Sequence, residues 1–257
     1  MSKRVPDGPQ PAPPVQRIRL RYAKRGRMRF SSQRDFSRAL ERALRRAEVP
    51  MAYSAGFHPH PKISYVNAAP TGVASEAEYL EIALAATMDP EVVRARLDEV
   101  LPDGLDMLAA IDAVDCPPGS LAERMQASLW RIELGDPCEE VAATVARLLA
   151  AASAPIERLT KDGKKTVDVR APIVSARVSS VAGDQARAIL ELVVKLVTPT
   201  VRPDDVIAAL DSVAGFAPSQ PIRATRLAQG PIGSDGVVSD PLSTTPLVKT
   251  GAPGDSR

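Results

Sequence analysis

Residues 16–115 alternate between strand-like and helix-like patterns in an order that few folds share. Apolar and basic residues alternate from Ile18 to Tyr22, as in a strand with one buried face. Ser32 and Asp35 have the spacing of a capping box, which predicts a helix to about Glu48. Apolar residues three and four apart predict one buried stripe on this helix, formed by Phe36, Leu40, Ala43, Leu44 and Ala47. Further extended segments are expected at Met28–Phe30, Met51–Ser54, Ile63–Val66, Tyr79–Leu84 and Met107–Val114, and a second helix from Asp89-Pro90 to Pro102. The order β-α-β-β-α-β predicts a ferredoxin-like domain.

The same order of patterns recurs in residues 121–229, after the break at Cys116–Ser120. Two helices are expected at Pro137–Ala152 and Pro203–Val213. Strands are expected at Ser128–Leu134, Ile156–Leu159, Thr166–Ile173, Ala188–Val197 and Ile222–Leu227, with a polar turn at Lys161–Lys164. The chain is therefore predicted to be an α+β protein of two tandem ferredoxin-like halves.

The two ends of the chain differ in composition from the middle. Many of the 24 prolines crowd residues 1–15 and the region beyond Gly230, where apolar residues are sparse. Such composition cannot bury enough apolar surface to offset the entropy of ordering. We expect a disordered arm at 1–15, a basic domain at 16–115, a second domain at 121–229 and a disordered tail at 230–257.

Composition also bears on the compartment and on cofactors. The sequence contains no apolar run near the roughly 20 residues that span a bilayer, and residues 1–14 have no signal-peptide core. Its two cysteines, Cys116 and Cys138, are too few for a disulfide framework or an iron-sulfur cluster. Phosphate-loop and dinucleotide motifs are absent. These features predict a cytoplasmic protein with no membrane partner, no cofactor and no metal site built from cysteines.

Positive charge is concentrated in one segment. Residues 16–62 contain 13 Lys and Arg but only three acidic residues, whereas the net charge of the whole chain is +2. Such an imbalance is typical of a surface that binds a polyanion, although a solvated arginine-rich helix would look similar. We expect RNA to contact the strand region Arg17–Arg29, notably Arg19 and Arg21, and a ridge on the first helix. The helix residues are Arg34, Arg38, Arg42, Arg45 and Arg46.

Both histidines of the chain lie in the proline-stiffened segment Gly56–Lys62. Three roles are open for His58 and His60: a structured or RNA-contacting loop, acid-base chemistry, and metal binding. No further Cys or His ligand for a metal is near in sequence. Phe57 could stack on a base or pack in the core, and Lys62 could contact phosphate. Tyr53 and Tyr65 are expected in the core.

Four segments carry a family resemblance: Arg29–Asp35, Ala39–Ala47, Pro50–Ser64 and Gly72–Tyr79. Through them the chain resembles the bacterial radical SAM-linked protein family, a domain of unknown function, over about residues 16–227. Members of that family are often encoded beside, or fused to, a radical SAM protein. The resemblance therefore implies a separately encoded radical SAM enzyme as a partner.

One position departs from the family, and one analogy concerns the fold. Family members commonly have histidine where this chain has Gln33, and glutamine cannot transfer a proton near neutral pH. Paired ferredoxin-like halves also look like CRISPR repeat-processing endoribonucleases, some of which use a histidine near the first helix. Fold alone does not fix function.

Three functional hypotheses remain open from the sequence. The first is an RNA-binding accessory protein for tRNA or rRNA, working with the radical SAM enzyme in RNA modification or processing. The second is a metal-independent endoribonuclease that uses His58 and His60. The third is a protein-interaction module without RNA. We expect the isolated chain to have no catalytic activity of its own.

Overall fold

The computed structural model describes residues 12–160, 163–181 and 184–243, and they form an α+β protein. The chain divides into two compact units, one ending at Glu123 and including Pro241–Ser243, and the other beginning at Arg124. The predicted turn residues Lys161 and Asp162 lie outside the described residues, as do residues 1–11 and 244–257 of the predicted tails.

The first unit contains an antiparallel sheet and two helices. Across the sheet the strands lie in the order Met107–Asp112, Gln16–Lys24, Ala74–Leu84 and Ile63–Val66. A 3-10 helix follows the first strand at Gly26–Phe30. The elements are β1 (Gln16–Lys24), α1 (Gln33–Arg46), β2 (Ile63–Val66), β3 (Ala74–Leu84), α2 (Pro90–Val100) and β4 (Met107–Asp112).

Local sequence signals explain β1 and α1. Ile18, Leu20 and Tyr22 share one face of β1 and are buried, as alternation predicts. The predicted capping box is present: the Ser32 hydroxyl accepts from the Asp35 amide at 3.2 Å, and the Asp35 carboxylate accepts from the Ser32 amide at 3.3 Å. The predicted apolar stripe of α1 is buried against the sheet. It consists of Phe36, Leu40, Ala43, Leu44 and Ala47.

Two sequence expectations in the first unit were wrong. Met28–Phe30 is helical rather than extended, because Gly26 turns the chain with a φ of 51° and starts a 3-10 helix. Met51–Ser54 is not a strand and forms only isolated bridges, from Met51 to Leu84 and from Tyr53 to Pro61. Proline lacks an amide hydrogen, so the segment around Pro59 and Pro61 cannot continue a ladder.

The second unit also has an antiparallel sheet, whose strands lie in the order Arg223–Gly230, Ala127–Leu134, Asp184–Lys195 and Ile173–Val181. A separate hairpin consists of Pro155–Thr160 and Gly163–Asp168. A short helix, α3 (Leu121–Arg124), precedes the unit in the sequence. Its elements are β5 (Ala127–Leu134), α4 (Cys138–Ala150), β6 (Pro155–Thr160), β7 (Gly163–Asp168), β8 (Ile173–Val181), β9 (Asp184–Lys195), α5 (Pro203–Ala214) and β10 (Arg223–Gly230).

Sequence patterns missed β8. The two extended segments predicted around the polar turn form the hairpin β6-β7, and the strand paired with β9 is Ile173–Val181. Serines at 175, 179 and 180 interrupt the apolar pattern of β8, and much of the strand is exposed. A half-exposed strand of this composition has a weak alternation signal.

The residues that follow Gly230 form defined contacts. Ile232 and Val238 form an isolated bridge, and the Ser239 amide donates to the Pro231 carbonyl at 2.8 Å. Val238 and Leu242 are buried. No described helix is both long enough and apolar enough to cross a membrane.

Candidate nucleic-acid interface

The predicted basic ridge lies on the solvent-facing side of α1. All five of its arginines are exposed, and within the described part of the chain none of them forms an ion pair. At 3.6 residues per turn and 1.5 Å per residue, they occupy an arc of about 120° and a length of roughly 18 Å. We call this set, Arg34, Arg38, Arg42, Arg45 and Arg46, the α1 ridge.

The capping box fixes the start of the α1 ridge. Hydrogen bonds from the side chain and backbone of Ser32 lower the pKa of Asp35, and the nearby charges of Arg38 and Arg34 lower it further. The aspartate is therefore ionised at neutral pH, and its negative charge interacts favourably with the positive end of the helix dipole. The first turn, which carries Arg34, is held in place by these contacts.

The predicted RNA contacts on β1 have a different environment. Antiparallel pairing places Arg19 opposite Glu81 of β3, and its Nε donates to that carboxylate at 3.1 Å. The Nη2 of Arg19 donates to the Gly119 carbonyl at 2.7 Å, and the side chain is buried. Arg17 donates to the same carboxylate at 2.8 Å. Arg21 is half-buried, and its Nε donates to the Glu76 carbonyl at 2.9 Å.

Arg25, at the end of the same strand region, is also neutralised. It forms ion pairs with Glu76 and with Asp106, the latter at 2.6 Å. Hydrogen bonding to Glu76 is the main cause that raises the pKa of Arg25, and Asp106 adds to it. The acidic partners of Arg17, Arg19 and Arg25 come from distant parts of the chain, and they compensate the positive charge of these three residues.

The loop of residues 53–62, which carries both histidines, is closed at its base and exposed at its tip. The Ser54 amide donates to the His60 carbonyl at 2.9 Å, and the His60 amide donates to the Ser54 hydroxyl at 3.0 Å. Phe57 is 67% exposed and does not pack in the core. His58 and His60 are exposed, and Lys62 is half-buried.

A small cavity of about 150 Å³ joins the loop to α1. His60 and Arg45 both line it, so two of the predicted site residues meet there. The described residues that line it do not include Phe57 or His58. The full lining is Glu41, Leu44, Arg45, Val49, Met51, Tyr53, Pro59, His60 and Pro61.

Two polar residues that line the cavity, Glu41 and Tyr53, were not predicted as site residues. Tyr53 was expected in the core but is 42% exposed, because its segment is not a strand and the alternation with buried Met51 does not apply. Glu41 precedes Arg45 by one helical turn, and this spacing was the available signal for it. Tyr65, by contrast, packs against the core and meets Phe36 edge-on at 6.0 Å.

Comparison with known families assigns the chain. A family model described as an uncharacterized protein conserved in bacteria (DUF2344) matches residues 17–203. The chain belongs to this family. The match covers the α1 ridge, the loop and the cavity, and it ends at the start of α5, earlier than the expected boundary at residue 227. No curated protein matches the chain.

For this member of the family, the described residues offer few groups for catalysis. No three His, Cys, Asp or Glu side chains within them cluster in a way that could hold a metal ion. Around the cavity, the groups that can exchange or accept a proton are Glu41, Tyr53 and His60. The α1 ridge supplies positive charge, Glu41 supplies a hydrogen-bond acceptor and Tyr53 supplies an aromatic ring. This combination suits binding of a negatively charged polymer that carries planar rings.

Proposed function

We propose that this protein binds RNA through the α1 ridge and the 53–62 loop, as an accessory to a separate radical SAM enzyme. The α1 ridge is the observation that supports this proposal most directly. Its five arginines are exposed on one helix face and form no ion pair in the described part of the chain. Uncompensated arginines in a row attract a polyanion and can each neutralise a phosphate.

The neighbouring loop favours RNA over an acidic protein surface. Phe57 is 67% exposed and Tyr53 is 42% exposed, and both lie close in sequence to the two histidines. Exposed aromatic rings beside arginines stack on unpaired bases, whereas an acidic protein surface would need only the charges. The expected target is tRNA or rRNA with an unpaired region.

The partner enzyme belongs to the same proposal. The family resemblance at Pro50–Ser64 and the neighbouring segments implies a radical SAM protein encoded nearby. Two cysteines are fewer than the three that hold a radical SAM cluster, so this chain would present RNA and its partner would supply the radical chemistry. The reaction would be RNA modification or processing, in the cytoplasm.

We further infer that both units are ferredoxin-like. The first unit has the chain order β-α-β-β-α-β, and the sheet order β4-β1-β3-β2 agrees with a split β-α-β plan. The second unit has the equivalent sheet order, β10-β5-β9-β8, with the hairpin β6-β7 inserted after α4. In this scheme α1 and α4 occupy equivalent places, but only α1 carries the basic ridge.

The proposed function is tested by the salt dependence of binding. RNA affinity of the full chain should fall with salt, with a slope in log units of roughly 0.7 to 0.9 for each phosphate neutralised. Several contacts are expected from the α1 ridge, so the total slope should be about two or more. Binding to tRNA that does not change between low and physiological salt would contradict the proposal.

A further inference from the structure

The cavity between α1 and the loop has an apolar floor and a polar rim. Leu44, Val49 and Met51 are buried and form the floor. Glu41, Arg45, Tyr53 and His60 supply the polar groups, and Pro59 and Pro61 add rigid apolar walls. The lining therefore combines apolar side chains with polar groups that can orient a ligand.

The size of the cavity limits what can enter it. Its volume is about 150 Å³, below the roughly 300 to 1,000 Å³ of typical small-molecule sites. A complete nucleotide cofactor does not fit. A single planar ring does, provided that the rest of the ligand stays outside on the surface of the protein.

We propose that this cavity binds one unpaired nucleobase that carries an exocyclic amino group, an inference that rests on the RNA-binding function proposed above. Arg45 belongs both to the α1 ridge and to the cavity. A phosphate bound at Arg45 therefore leaves its adjacent base at the cavity. The exposed ring of Tyr53 offers a surface on which that base can stack.

Glu41 provides the base preference. It is the one acidic residue among those that line the described cavity, and it lies on a helix whose other exposed charges are mostly positive. A carboxylate there weakens attraction for phosphate, so it is unhelpful for general RNA binding. It accepts hydrogen bonds from an amino group, such as N4 of cytosine, but meets the carbonyl oxygen O4 at the same position of uracil.

The experiment compares two oligonucleotides that differ by one amino group. An oligouridine of about ten nucleotides and the same oligomer with one central cytidine are titrated with the full chain, and affinity is measured by fluorescence anisotropy. The wild type should bind the cytidine oligomer about fivefold or more tightly. The ratio of the two affinities is the readout, because it cancels the contribution of the phosphates.

Three variants assign the preference to the cavity. Glu41→Gln should raise the affinity for both oligomers but bring their ratio close to one, because an amide can pair with either base. Glu99→Gln on α2, an exposed site with the same change of charge, should leave the ratio unchanged. Tyr53→Ala should weaken binding of the cytidine oligomer by roughly 5- to 100-fold, and Tyr53→Phe should not.

The outcomes separate this inference from the function on which it rests. Salt-dependent binding with equal affinity for both oligomers, or with a ratio that Glu41→Gln leaves intact, overturns the base site and leaves RNA binding in place. If the wild type binds neither the oligomers nor tRNA at low salt, RNA binding itself is wrong and the base site falls with it. Binding of an acidic peptide instead would favour a protein partner.

Discussion

The arginines of β1 and those of α1 are equally dense in the sequence but have opposite environments. On β1, Arg17 and Arg19 share the Glu81 carboxylate of the adjacent strand, and Arg19 is buried. On α1, the five arginines of the ridge face solvent with no ion pair in the described residues. One set holds the sheet together, and the other is available to a polyanion.

The difference follows from the geometry of the two elements. The strand β1 has a neighbour on each side, so a side chain such as Arg19 lies directly opposite a residue of the next strand. A surface helix buries one face and leaves the other without neighbours. Positive charge in the sequence therefore indicates a binding surface only where the fold supplies no carboxylates.

The largest effect is expected from removing Glu81. Glu81→Ala leaves the buried guanidinium of Arg19 with the Gly119 carbonyl but without its carboxylate. Breaking a buried ion pair costs about 3 kcal/mol in the free energy of unfolding, measured by urea denaturation. Glu157→Ala removes an exposed pair with Lys164 and should cost less than about 1 kcal/mol. Equal costs would show that the two pairs are not different in kind.

The next largest effect concerns RNA affinity. Replacing Arg38 and Arg42 with alanine removes two charges from the middle of the α1 ridge and should lower the salt slope by about 1.4 to 1.8 log units. Affinity at low salt should fall about tenfold to a hundredfold, and the free energy of unfolding should change by less than about 1 kcal/mol.

The matched control for this double variant lies in the second unit. Arg147 and Arg177 are exposed, and their replacement with alanine changes the net charge by the same amount. The control should keep most of the wild-type salt slope. A slope lowered equally by both double variants would mean that RNA responds to total charge and not to the α1 ridge.

A smaller effect is expected at the first turn of α1, which positions Arg34. Ser32→Ala removes the hydroxyl that accepts from the Asp35 amide, and loss of such a cap costs about 1 kcal/mol at neutral pH. Ser37→Ala is the control, because its hydroxyl donates to the Gln33 carbonyl within the helix and caps no free amide. It should have a smaller effect on the free energy of unfolding.

The cap also predicts a dependence on pH. Hydrogen bonds from Ser32 lower the pKa of Asp35 in the folded protein, so the capping contribution is complete above the ordinary aspartate pKa. It is lost as the pH falls through the lowered value. The difference in stability between the wild type and Ser32→Ala should therefore shrink below about pH 4. A difference that stays constant on acidification would contradict this assignment.

Sequence patterns predicted those parts of the molecule whose signals are local. The capping box and the apolar stripe of α1 depend on residues three or four apart, and both were found. The end of α1 was placed two residues late, because Glu48 adopts a φ of 52° that no local pattern indicated. The α1 ridge followed from the same helical spacing.

Long-range partners could not be predicted in this way. Glu81 lies 62 residues from Arg19, so the compensation of the β1 arginines depends on strand pairing rather than on composition. The exposure of Tyr53 depends on a bridge to Pro61 that replaces a strand. The roles of Arg19 and Arg21 in RNA binding stay predictions, but their hydrogen bonds make them poorer candidates than the ridge.

The smallest effect separates the two histidines. His60 lines the cavity with Arg45, whereas His58 is exposed and is not among its described lining residues. His60→Ala should therefore lower RNA affinity about threefold, as expected for loss of one hydrogen bond, and His58→Ala should lower it less.

Neither variant should change RNA cleavage in EDTA at neutral pH, because no cleavage is expected from the wild type. Acid-base cleavage needs two groups near the 2′-hydroxyl and the leaving oxygen. Here the loop brings only one histidine to the cavity, and Gln33 on the helix cannot transfer a proton near neutral pH. Site-specific cleavage that disappears in both histidine variants would make the protein a nuclease and the accessory role wrong.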